Sequence, residues 1–283
     1  MSAGIGSRFG GLKQIEPVDD DGNYIIDYLI YDAIRCGIKK VVFIINKNNY
    51  KIFKKTIGER VSKKIQVRYA FQENPKNIER EKPLGTGHAV LCSKKYVSEK
   101  FIVVNSDDFY GYESLSVIKR ELENDNDNFI MMGYKLKNTM PKTGKVKRGL
   151  CFISSECISK IDECEVEKTG KTYLAVKLSD GKLVKCDGNT IVSMNMFGFN
   201  QKIFSFLEND FKNFLSNPKN IKNGEFYLPE SVTKSVYENK IQVRVIPTDS
   251  EWFGVTYRED LFAVREKIAK LKRDGKYPVH LWK

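Results

Sequence analysis

The chain is 283 residues long, with 48 Lys and Arg against 36 Asp and Glu, a formal net charge of +12, 41% apolar and 30% charged residues, and only 8 prolines. That balance excludes collagen-like, low-complexity and wholly disordered chains, and no run approaches the roughly 18 uncharged apolar residues of a membrane-spanning helix. A chain of this length can bury a large core, either as one α/β domain or as two smaller ones.

In chain order, Ile25 to Cys36 reads as an amphipathic helix ended by Gly37, and Lys39 to Asn46 as a strand buried on both faces. A short helix over Tyr50 to Glu59 precedes an alternating strand over Gln66 to Gln72. Thr86 to Val97 reads as a helix, Lys100 to Asn105 as a second buried strand, Ser114 to Asn124 as a helix and Asn128 to Lys135 as a strand. Strands separated by helices predict β-α-β units and a doubly wound, mostly parallel mixed sheet. The second half is richer in strands, at Arg148 to Ser154, Thr172 to Leu178 and Thr190 to Phe199, with an Asp180-Gly181 hairpin signal. Helices over Lys202 to Leu215 and Pro229 to Glu238, a strand over Gln242 to Ile246 and a terminal helix over Arg258 to Arg273 complete the pattern. With neither repeat nor linker, a single domain over 1–283 with a β-rich lobe is expected. Its first half would span 1–135, its second, strand-rich half 136–262, and a C-terminal helix and tail 263–283.

The charge favours phosphate-bearing partners. The lysines are scattered, however, and lack the interleaved aromatic and basic residues of a nucleic-acid surface. Neither a nucleic-acid nor a membrane partner is expected, and a homo-oligomer is compatible with the sequence. The first residues carry no apolar export core. The six cysteines, at 36, 92, 151, 157, 164 and 186, contain no CxxC pair. Reduced thiols in a cytoplasmic protein are the expectation.

Three segments carry chemistry. In Ala3-Gly4-Ile5-Gly6-Ser7-Arg8-Phe9-Gly10-Gly11-Leu12-Lys13, clustered glycines let backbone N–H groups turn toward an anion. Arg8 and Lys13 follow as cations suited to phosphate. The spacing is neither a Walker A loop nor a dinucleotide fingerprint, and a flexible basic segment fits it equally well. Such a loop normally leaves the carboxyl end of a central strand. No strand precedes it here, so the strand is expected upstream of Met1, or the sheet is completed in some other way. In Pro83-Leu84-Gly85-Thr86-Gly87-His88-Ala89, a turn opens a helix, either as an acceptor or anion site or as a simple N-cap by Thr86. His88 reads as structural, and His280 has no evident partner. In Val103-Val104-Asn105-Ser106-Asp107-Asp108, a buried strand ends in two carboxylates, placed either to hold Mg²⁺ near phosphate or to cap a turn.

Together these segments resemble the sugar-1-phosphate nucleotidyltransferases, which make nucleoside-diphosphate sugars, over residues 2 to about 262. Gly4-Ile5-Gly6-Ser7-Arg8 with Lys13 resembles the family's GxG[ST]R…K signature, and Gly85-Thr86-Gly87-His88-Ala89 its base-binding turn. Ser106-Asp107 falls where the family has its metal-binding Asp. Met194-Asn195-Met196-Phe197-Gly198-Phe199 and Trp252-Phe253-Gly254-Val255 match a bacterial subgroup of that family. The resemblance implies an α/β fold of the nucleotide-diphospho-sugar transferase type, and transfer of a nucleoside monophosphate, from UTP by preference, to a sugar 1-phosphate. Ala3, Gly4, Gly6 and Ser7 would hold the triphosphate. Arg8 and Lys13 would stabilise and bridge the reacting phosphates, and Asp107 would ligate Mg²⁺. Gln72, Gly85 and Thr86 would read the base, and Gly149, Glu163 and Asn195 would face the sugar phosphate. Two departures stand out: Gly254 lies where the family has a second metal Asp, for which Asp108 or Asp249 would have to substitute, and Glu163 is followed by Cys164 rather than a cation. Two alternatives stay open, a cytidylyltransferase for phosphocholine or another small phosphate, and an inactive nucleotide-sugar-binding regulatory homologue.

Overall fold

A computed structural model describes residues 1–2, 15–75, 78–80, 82–124, 128–141, 144–238, 240–255 and 258–283. Helix α1 (Ile25–Arg35) buries Ile25, Ile26, Tyr28, Ile30 and Ala33 on one face, the 3.6-residue spacing anticipated from sequence. Strand β1 (Lys40–Ile45) leads into a helical stretch containing a π-helical segment, Lys54–Gly58, and then β2 (Gln66–Phe71). Strands β1 and β2 pair in parallel from Lys40↔Gln66 to Ile45↔Phe71.

Next come α2 (Thr86–Cys92), β3 (Phe101–Val103), β4 (Asp108–Phe109), α3 (Tyr112–Asn124) and β5 (Phe129–Lys135). The second half runs through β6 (Lys145–Ser154), β7 (Cys157–Thr169), β8 (Thr172–Lys177), β9 (Leu183–Val184), β10 (Ile191–Phe199), α4 (Lys202–Leu215), α5 (Pro218–Asn223), α6 (Leu228–Tyr237), β11 (Val243–Thr248), β12 (Phe253–Gly254) and α7 (Asp260–Arg273).

The main sheet has the order β11-β5-β10-β6-β7-β8-β9, with β3 also on β10. Among the described strand pairs only β1–β2 and β5–β11 are parallel. The expectation of a mostly parallel sheet is therefore corrected to a mixed, largely antiparallel one. The cause is the β6–β9 meander, whose short connections force antiparallel neighbours, together with β10, which runs antiparallel to β3, β5 and β6. Strand β7 went unread because its sequence, Cys-Ile-Ser-Lys-Ile-Asp-Glu-Cys-Glu-Val-Glu-Lys-Thr, is acid-rich. Its Ile158, Cys164 and Val166 are nevertheless buried. Its Asp162 is buried only because Lys160 and Lys177 pair with it at 2.6 and 3.1 Å.

The first two residues run between β1 and the end of β3. Ser2 forms a parallel bridge to Ile45 and donates to Ile44 O at 2.7 Å. On the other side the Met1 amine donates to Val104 O at 2.7 Å, and Met1 O accepts from Ser106 N–H at 3.1 Å. Among the described residues, this contact joins β1 to the end of β3. The remaining core packs α1, α3 and α7 against the sheets. The C-terminal segment closes over α1: Tyr277 donates to Asp32 at 2.5 Å, Trp282 to Asp27 at 3.1 Å and Lys272 to Asp19 at 2.8 Å. His280, read as partnerless, in fact faces Asp21 at 3.0 Å.

Candidate active site

The base turn is held by backbone. Gly85 has φ +105, and a Cβ there would lie 2.6 Å from Phe226 O. A Cβ at Gly87 would lie 2.7 Å from the Phe226 ring. These two glycines let segment 226–228 lie flat against the turn. Phe226 N–H donates to Leu84 O at 2.7 Å and Gly87 N–H to Phe226 O at 2.9 Å. Gln72, buried at the end of β2, donates through Nε2 to Gly85 O at 2.8 Å. Thr86 is not the N-cap of α2; that position belongs to Gly85. The Thr86 hydroxyl instead accepts from Leu228 N–H at 2.9 Å, at the start of α6. His88 stacks on Phe211 at 4.8 Å. Burial lowers its imidazole to about 4, so it is neutral at pH 7 and structural, as expected.

The strand end carrying the carboxylates is built by a two-residue ladder, Asp108↔Gly254 and Phe109↔Phe253. Asp108 is 7% exposed. Its Oδ2 accepts from Asn105 Nδ2 at 2.9 Å and lies 3.3 Å from the Tyr110 hydroxyl. A Cβ on residue 254 would stand 2.5 Å from Asp108 Oδ1 and 3.1 Å from Asp107 O. The departure at Gly254 therefore has a physical reason: the Asp108 carboxylate occupies the room a side chain there would need. Asp249 pairs instead with Lys135. Burial holds the Met1 amine down at about 6, against the pull of Asp107 and Asp108, which places both carboxylates near it.

Ser193, Gly149 and Glu163 stand in one row across β10, β6 and β7. A Cβ at Gly149 would meet Ile161 Cγ2 at 2.9 Å and Glu163 Oε1 at 3.1 Å, so the glycine opens a notch beside that carboxylate. Burial raises Glu163, with Lys147 and Arg148 pulling the other way. Glu230 on α6 is raised by burial and by the charge of Glu163. Tyr227 is raised by burial and by its hydrogen bond to Glu225. Asn195 stands outside the row: its φ is +61, and it turns the bulge between Ser193 and Phe197.

Sequence reasoning missed two residues. Ser193, which pairs with Gly149 in that row, carried no signal in the sequence. Arg148 is buried, donates to Thr139 Oγ1 at 3.1 Å and Lys147 O at 2.8 Å, and lies over the Trp252 ring at 4.7 Å. Burial lowers it to about 10, opposed by Asp108 and Glu163, so it remains a cation facing both carboxylate groups. An arginine beside a strand glycine was its only sequence signal. Ala3, Gly4, Gly6, Ser7, Arg8 and Lys13 lie outside the described residues.

The family model for nucleotidyl transferases matches residues 1–270, and the chain belongs to that family. It is 27% identical over 170 residues to the bifunctional protein GlmU of Methanococcus maripaludis strain C5, covering 55% of this chain and 38% of that one. It is 26% identical over 136 residues to the UTP–glucose-1-phosphate uridylyltransferase YngB of Bacillus subtilis, covering 40% and 43%. The matches thus span less than half the length of these relatives. Among solved structures, the inositol-1-phosphate CTP transferase of T. maritima superposes with a TM-score of 0.66 at 18% identity, over 96% of this chain and 94% of that one. A putative glucose-1-phosphate thymidylyltransferase of Bacillus anthracis does so at 0.66 and 14%, over 94% and 92%. The fold is that of these transferases.

Proposed function

We propose that this chain is a sugar-1-phosphate nucleotidyltransferase working in the cytoplasm, with UTP as the favoured donor. A phosphate oxygen of the acceptor attacks the α-phosphorus in line. The new P–O bond forms as the bond to the β-phosphate oxygen breaks, and pyrophosphate leaves. No covalent enzyme intermediate is needed, only alignment and neutralised charge. The observation that carries the reading is the Tyr110 hydroxyl, which lies 3.3 Å from Asp108 Oδ2 and donates to Met194 O at 2.9 Å, so that the carboxylate strand end stands beside the strand bearing Ser193 of the Ser193–Gly149–Glu163 row.

By family position Arg8 and Lys13 hold and bridge the phosphates. Gln72 and the Gly85–Thr86 backbone face the base, and Glu163 with Ser193 orients acceptor hydroxyls. No cluster of three or more His, Cys, Asp or Glu suited to a metal occurs among the described residues. Mg²⁺ bound by one or two carboxylates, with water and substrate phosphate completing its shell, does not require one. Asp107, with Asp108 next to it, fits that need. When bound, Mg²⁺ would neutralise phosphate charge and act as a Lewis acid.

Pyrophosphate release with Mg²⁺ across four NTPs and a panel of sugar 1-phosphates tests the reading. A single active pair is the expected result, and silence from folded protein rejects it. Asp107→Asn should lower turnover by about 100-fold or more with an unchanged circular dichroism spectrum. A second reading, cytidylyl transfer to phosphocholine or another small phosphate, is favoured by Glu163, Glu225 and Glu230 around Tyr227, an anionic wall suited to an ammonium group. Phosphocholine with CTP belongs in the same panel. Nucleotide-sugar binding without any turnover would instead indicate a regulatory homologue.

A further inference from the structure

Strand β10 changes neighbours partway along its length. Val192 and Ser193 pair with Leu150 and Gly149 of β6, whereas Phe197 to Phe199 pair with β3. Between them the register slips and Asn195 adopts φ +61, a conformation that Asn tolerates better than most residues. A bulge of this kind releases backbone groups from the ladder, and a buried carbonyl released in this way needs a new donor.

The donor for Met194 O is the Tyr110 hydroxyl, at 2.9 Å. That hydroxyl also accepts from Asn105 N–H at 3.1 Å, with Asp108 Oδ2 at 3.3 Å as a second acceptor nearby. A hydroxyl has one hydrogen to give and lone pairs to receive, so this one atom ties the turn at the end of β3 to the bulge of β10. Tyr110 itself is 1% exposed, and Tyr134 donates to its carbonyl at 3.1 Å. Burial, with the Asp108 charge beside it, raises the phenol far above its ordinary value, so it keeps its proton at any working pH.

We infer that Tyr110 is a positioning residue, its hydroxyl setting the acceptor row at Ser193 relative to the carboxylates at Asp107 and Asp108. It touches neither substrate. It acts by holding two segments more than eighty positions apart in sequence at one spacing, so that a phosphate bound on one side meets the acceptor on the other. The effect on catalysis rests on the transferase reading above; the tie itself does not.

Tyr110→Phe keeps the ring in its packing and removes one oxygen. Acceptor KM should rise about tenfold with kcat altered less than about threefold. Amide exchange at residues 103–108 and 191–199 should accelerate together by about tenfold, leaving the β6–β7 hairpin unchanged. Tyr28→Phe, which removes an equally buried hydroxyl from Asp19, is the matched control: it should lower stability without moving acceptor KM. Faster exchange in only one of the two segments overturns the inference, and so does an acceptor KM that stays fixed while both loosen. If the unaltered protein transfers to no acceptor, the transferase reading fails by itself and the exchange data still decide the tie. Should Tyr110→Phe not fold, the unaltered protein answers: the two segments must open with one shared denaturant dependence, and separate openings overturn the inference.

Discussion

The Leu84–Gly87 turn and the Ser193–Gly149–Glu163 row are built in opposite ways. At Leu84–Gly87 the shape comes from main-chain hydrogen bonds to Phe226 and from glycines that leave no room for a Cβ. At Ser193–Gly149–Glu163 a flat ladder presents side chains, and half-buried carboxylates supply the character. Main-chain recognition is stiff and indifferent to solution conditions. Side-chain recognition is adjustable and carries a charge that pH can remove. On the proposed reading, the turn would be the fixed part of the site and the row the part where specificity can drift.

The most severe way to break the contrast is Gly85→Ala. Its φ of +105 and the 2.6 Å approach to Phe226 O leave a methyl group nowhere to go, because the neighbour is backbone. A loss of about 3 kcal/mol is expected in urea unfolding. A loss below about 1 kcal/mol would mean that the turn gives way easily.

The two sides should also respond to pH in opposite directions. His88 titrates at about 4 when folded, lowered by burial from an ordinary 6.5. The unfolded chain therefore binds the proton first, and stability falls as pH drops from 6.5 toward 4, by at most about 3 kcal/mol. Glu163 and Glu230 are raised. Their folded forms hold protons more tightly than the unfolded chain does, and their share of stability is lost as pH climbs from the ordinary carboxylate value through the raised one. Melting temperature against pH should show a shallower acid limb in His88→Gln and a shallower opposing limb in Glu163→Gln, with buried Asp27 and Asp32, raised to about 6 and about 7, supplying the rest of the latter.

Glu163→Gln sharpens the contrast in catalysis. Acceptor KM should rise about tenfold, roughly 1.4 kcal/mol, with NTP KM unchanged. Equal changes in both would erase the division. The smallest effect is expected from Thr86→Val, which strips Leu228 N–H of its acceptor at a cost of about 1 kcal/mol in thermal unfolding.

What could be read beforehand was local. The helix over residues 25–35, the buried strands and the Asp180-Gly181 hairpin announce themselves through period and turn chemistry. The Gly85–Thr86 turn and the strand end at Asp107 stood out because glycine clusters and strand-end carboxylates are contiguous in sequence. What escaped was long-range or disguised. The clamp on the base turn comes from Phe226, far along the chain. Strand β7 hides its buried stripe among glutamates. The β6–β7 reversal is made by Ser155 and Glu156 at positive φ, with neither glycine nor asparagine to signal it. Ser193 stands beside Gly149, with a register shift between it and Phe197, and no single strand's sequence encodes its neighbour's register.

The contact between Asp108 and Gly254 bears on how this sequence can change. With the carboxylate in place, any side chain at 254 must intrude within 2.5 Å of Asp108 Oδ1. A side chain at 254 therefore requires the Asp108 carboxylate to move or to be lost, so the effect of a substitution at 254 depends on the residue at 108.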